Sequence, residues 1–185
     1  MKRLAILVLL MITLLGCNGE SNDLQRGMQL REKMLNNNCS FVAEITADYG
    51  DKSYTFSAGC TADPMGNLSF VVLSPESIGG ITGKITAESG FLTFDDAVLA
   101  FPLLADGEVS PVSAPWMLVK TMRSGYLAAA GMDGEYLQLT IYDSYEEDAL
   151  QLDIWLDGQN HPIRGEILWQ GRRVLSVDVM DFAFV

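Results

Sequence analysis

The stretch Cys39-Ser40-Phe41-Val42-Ala43-Glu44-Ile45-Thr46-Ala47-Asp48 alternates residue by residue. Phe41, Ala43, Ile45 and Ala47 fall on one side, and Val42, Glu44, Thr46 and Asp48 on the other. A period of two belongs to a strand with one buried face. After Tyr49-Gly50-Asp51 the period resumes in Tyr54, Phe56, Ala58 and Cys60, which predicts a hairpin. A four-residue loop over Asp48–Asp51 pairs Ala47 with Lys52 and sets Cys39 opposite Cys60. Directly opposed Cβ atoms in a non-hydrogen-bonded pair come close enough for a disulfide. That register favours a Cys39–Cys60 bridge over two buried thiols, with a structural role worth roughly 3 kcal/mol.

The same period runs on through the chain. Leu68, Phe70 and Val72 mark a third strand that stops at Ser74-Pro75. Ile81, Gly83, Ile85 and Ala87 mark a fourth, and Phe91 to Phe94 a short fifth. Between Val98 and Pro115 the alternation fails while Pro102, Pro111 and Pro115 recur, so a loop is expected. Trp116 to Arg123 suits a short helix, with Pro115 in its first turn and Gly125 at its exit. Strands follow at Tyr126–Ala130, Tyr136–Tyr142, Leu150–Leu156, Ile163–Trp169 and from Val174 to the end, parted by turn residues. At the front, Ser21 to Asn37 reads as a helix whose apolar face is Leu24, Met28, Met34 and Leu35. Short strands at regular spacing make a meandering antiparallel sheet in one mainly β domain.

Ahead of that helix, Lys2-Arg3 precedes an apolar run from Leu4 to Leu15 and then Gly16-Cys17. Charge, apolar run and small residues in that order make a secretory signal. The run is too short for a bilayer core of about 30 Å. Leu14-Leu15-Gly16-Cys17 resembles the bacterial lipobox, whose cysteine is acylated and becomes the first residue of the mature protein. The expected organisation is a signal over residues 1–16, a lipid-anchored tether over 17–21 and one domain over 22–185. Acyl chains at Cys17 would hold that domain to the outer side of a membrane.

Composition narrows the partners. The chain carries a net charge of −12, and Lys2 and Arg3 would leave with the signal. An acidic domain repels phosphate backbones and anionic headgroups, which argues against nucleic acid and leaves the anchor as the membrane link. His161 is the single histidine and stands before Pro162 in a turn, with no Gly-x-Ser-x-Gly to serve. With Cys39 and Cys60 it makes too few ligands for structural zinc. Gly79-Gly80-Ile81-Thr82-Gly83-Lys84 departs from a phosphate loop at Ile78 and Ile85 and reads as a bend entering a strand. Asp95-Asp96 and Glu146-Glu147-Asp148 lack the alternating ligand spacing of a calcium loop and read as solvated turns. No enzyme is indicated, and no cofactor or metal.

Trp155-Leu156-Asp157-Gly158, His161-Pro162-Ile163-Arg164-Gly165-Glu166-Ile167, Gly171-Arg172-Arg173-Val174-Leu175-Ser176-Val177 and Asp181-Phe182 follow one another near the C-terminus. They resemble the last strands of lipoprotein-carrier domains of the LolA/LolB/LppX type. The resemblance implies an unclosed antiparallel β-barrel, with a leading helix and a short helical lid over its concave face. It also implies a cavity for an acyl chain, lipid or other apolar ligand. Germination lipoproteins of spore-forming Gram-positive bacteria look similar and imply the alternative, a lipid-tethered module that engages an envelope protein partner. A wide sheet must curl, and two short helices are its only covers, so the residues beneath them are cavity candidates. These are Phe41, Ile45, Phe56, Phe70, Val72, Ile85, Trp116, Leu152, Ile154, Ile167 and Trp169.

Overall fold

The computed structural model describes residues 18–50, 52–94, 97–101, 104–105 and 108–185. Helix α1 (Asn18–Asn36) leads into a meander of six strands: β1 (Cys39–Asp48), β2 (Ser53–Ala62), β3 (Leu68–Ser74), β4 (Thr82–Ile85), β5 (Gly90–Phe94) and β6 (Ala97–Phe101). A two-stranded ribbon, β7 (Leu104–Ala105) with β8 (Glu108–Val109), precedes helix α2 (Ala114–Ser124). A second meander closes the chain: β9 (Tyr126–Asp133), β10 (Tyr136–Tyr142), β11 (Gln151–Leu156), β12 (Pro162–Trp169) and β13 (Arg172–Phe184).

The two meanders join into one sheet of 11 strands because β1 pairs antiparallel with β13. The order is β6-β5-β4-β3-β2-β1-β13-β12-β11-β10-β9, and β6 and β9 do not pair with each other. The molecule is therefore an unclosed antiparallel β-barrel with two helices, as the strand spacing and the family resemblance led one to expect. Local turn chemistry sets each hairpin. Gln170 and Gly171 both take positive φ, 50° and 76°, the backbone of a tight primed turn between β12 and β13.

Helix α2 lies on the inner face of the sheet. It is apolar almost all round, with Pro115, Trp116, Met117, Leu118, Val119 and Met122 buried, as befits a helix enclosed by protein. The Trp116 indole N–H donates to the Gly66 carbonyl at 3.0 Å, and Arg123 donates to the Pro64 carbonyl. These bonds fasten the first and last turns of the helix to the β2–β3 loop. Gly125 ends it with an N–H bond to the Thr121 carbonyl at 2.8 Å. A Cβ there would sit 2.7 Å from that same oxygen, so the exit requires glycine for space.

Three expectations are corrected. The β1–β2 hairpin pairs Asp48 with Ser53, so Cys39 opposes Ala62 and Cys60 opposes Phe41. The cysteines are diagonal neighbours rather than partners, and both are free, buried thiols. The loop is shifted because Tyr49 N–H bonds to the Lys52 carbonyl and Gly50, at a φ of 86°, turns the chain one residue later than supposed. Second, Ala97–Phe101 is a strand, not loop; it folds back on β5 with Leu99 opposite Leu92. Third, α1 begins at Asn18 rather than at Ser21. Its buried face is Gly27, Leu30 and Met34, while Met28 and Leu35 are exposed. Gly27 permits this, because α1 crosses Leu127 and Leu139 close enough that a Cβ would touch both.

Candidate functional site

Ten of the cavity candidates are core. Phe41, Ile45, Phe56, Phe70, Val72, Ile85, Trp116, Leu152, Ile154 and Ile167 belong to one continuous buried cluster. Trp169 stands apart, partly exposed at the end of β12. Helix α2 fills the middle of the half-barrel: Leu118 lies over Gly165, and the Phe70 ring lies over Gly83 on the neighbouring strand. The glycines at these crossings let side chain and backbone close up with little space between them.

The filling does not extend to the sheet's first edge. Across β3, β4, β5 and β6, paired residues share a face, so Phe70, Gly83, Leu92 and Leu99 form one row directed inward. Burial falls along it: Phe70 is buried, Leu92 packs on the core's fringe, and Leu99 is 64% exposed. Phe94, on the same inner face, is 54% exposed. The outer face shows the same thing, with Val98 67% exposed beside half-exposed Phe91. Just inboard lies a hollow of about 410 Å³ lined by Gly59, Thr61, Val71, Thr82, Lys84 and Phe91, among others. We call β5 and β6 the open wing. Its last strand, β6, borders no further strand among the described residues and exposes Val98 and Leu99 on opposite faces.

Such an edge is a template for pairing. Native sheets usually blunt an edge with charge, proline or a bulge, and none interrupts β6. Sequence reasoning missed this site. A continuous apolar run ordinarily signals a strand buried on both sides, and here the exposed one carries it.

The remaining candidates are quiet. Burial pushes the Cys39 thiol up to about 11 and the Cys60 thiol up to about 12, so both stay protonated and unreactive at neutral pH. His161 sits 3.9 Å from the Asp157 carboxylate, against the rings of Phe182 and Phe184. Cys17, Asp95 and Asp96 lie outside the described residues. Among the described residues, no cluster of histidine, cysteine or carboxylates could hold a metal, and no helix is long and apolar enough to cross a membrane.

No family model matches the chain, and no curated protein does. The solved structures it is similar to include a LolA superfamily protein from Nitrosomonas europaea, at 8% identity over 86% of this chain and 93% of that one, with a TM-score of 0.44. A putative outer membrane lipoprotein-sorting protein domain from Vibrio parahaemolyticus is similar at 10% identity over 89% and 92%, with a TM-score of 0.47. So is a chain from the Clostridioides difficile complex of the CwlD amidase with the GerS lipoprotein, at 14% identity over 85% and 93%, with a TM-score of 0.45. The likeness is one of overall arrangement.

Proposed function

We propose that this protein is an exported, lipid-anchored, non-enzymatic binding domain that takes an extended segment of another envelope protein along β6. The observation that carries the reading is the open wing: an unpaired edge strand with Val98 and Leu99 exposed on opposite faces. An added strand gains backbone hydrogen bonds, each worth about 0.5–1.5 kcal/mol net, while alternate side chains meet apolar surface on either face. The net charge of −12 opposes self-association and favours a basic partner. Residues 1–17 support export and anchoring at Cys17, with α1 starting immediately after the acylated residue.

A second reading keeps the apolar ligand. Leu92, Phe94 and Leu99 share the inner face, so an acyl chain lying there would be covered on one side by the sheet. Substituting Val98→Lys and Leu99→Lys separately, with a photo-crosslinking residue in place of Ala100, tests both readings in intact cells. Strand addition predicts one dominant adduct, lost in both variants while the fold is retained. An acyl ligand predicts stoichiometric lipid on solvent extraction, lost with Leu99→Lys and kept with Val98→Lys. An adduct that persists in both variants, with no extracted lipid, would contradict both.

A further inference from the structure

At the opposite edge of the sheet, Tyr126 on β9 and Tyr142 on β10 are direct cross-strand partners. The turn after β10 brings Tyr145 back against Tyr126, with ring centroids 5.2 Å apart and tilted at 45°. Glu146 and Glu147 complete a hollow of about 260 Å³. Tyr145 is 87% exposed, so the core gives no reason for its position. Two tilted rings in contact, a third tyrosine and two glutamates sharing the lining make a surface that attracts positive charge through ring quadrupoles and Coulomb attraction together.

The neighbouring cations are already engaged. Lys120 lies 3.9 Å from the Asp143 carboxylate, and Arg31 donates to the Met122 and Gly125 carbonyls. The apolar ring faces favour a weakly hydrated cation over a compact, strongly hydrated one. We propose that this hollow is a binding site for a quaternary alkylammonium group of the trimethylammonium type, with Tyr126, Tyr142 and Tyr145 against its methyl groups and Glu146 and Glu147 facing its charge. Such a group comes either as a free small cation or as the head of a phosphocholine ester.

The test is a titration of the full chain in maltoside micelles, followed by tyrosine fluorescence. Choline chloride should give a saturable change that potassium chloride at equal ionic strength does not. Tyr145→Ala should weaken it about three- to tenfold, and Glu147→Gln less, with the far-UV spectrum unchanged. Dihexanoyl phosphatidylcholine below its micelle concentration distinguishes the sources. Binding tighter than choline assigns the site to the lipid head, and weaker binding assigns it to the free cation. A response matched by potassium chloride, an equal affinity for a lysine amide, or no loss in Tyr145→Ala would overturn the proposal.

Discussion

At the scale of single residues, the two cysteines show how a two-residue shift of register changes a chemical role. The alternation placed both on the buried face, and they are there, Cys39 and Cys60 each almost fully enclosed. What the pattern did not carry was the turn, because Gly50, at positive φ, donates its N–H to the Asp48 carboxylate, a bond that hydrophobicity does not report. Buried thiols have a pH signature. Their folded-state values lie above the ordinary 9.0, so their contribution to stability is complete below about pH 9 and is lost as pH rises through about 11 and 12. Over that window the unfolded chain releases protons that the folded one keeps, lowering stability by up to about 1.4 kcal/mol per unit for each thiol. Guanidinium unfolding at pH 8 and pH 10.5 should show a steeper loss in the wild type than in Cys39→Ala/Cys60→Ala. Equal slopes would mean that the thiols are not sequestered as the structure has them.

At the scale of elements, helix α2 was legible and the open wing was not. Pro115 and Gly125 bracket α2 in the sequence, and its run of apolar residues announces burial. Gly125 holds the exit by close approach, so Gly125→Ala should push on the Thr121 carbonyl and on Ile141 and lower stability by about 1–3 kcal/mol, read by denaturant unfolding. A neutral outcome would show that the helix end can shift at no cost. Strand β6 was hidden because its two faces carry the same kind of residue, leaving no period to detect. The α1 face was misread for a related reason: Gly27, which carries no hydrophobic signal, sits where an added Cβ would press on Leu127 and Leu139.

At the scale of the whole molecule, hairpin spacing announced a wide meandering sheet but did not show where the middle would be filled. The pairing of β1 with β13 joins residues far apart in the chain, and no local pattern specifies it. Helix α2 packs on strands of both meanders, and ten of the residues proposed to line a cavity lie in the buried cluster. The proposed binding face lies at the edge that α2 does not cover. The most direct test is equilibrium unfolding of Phe70→Ala beside Leu99→Ala, two apolar truncations in one inner row. A filled interior with an open wing predicts a loss of about 3–5 kcal/mol for Phe70→Ala and under about 1 kcal/mol for Leu99→Ala. Small and equal losses would instead mean that the centre of the half-barrel is hollow.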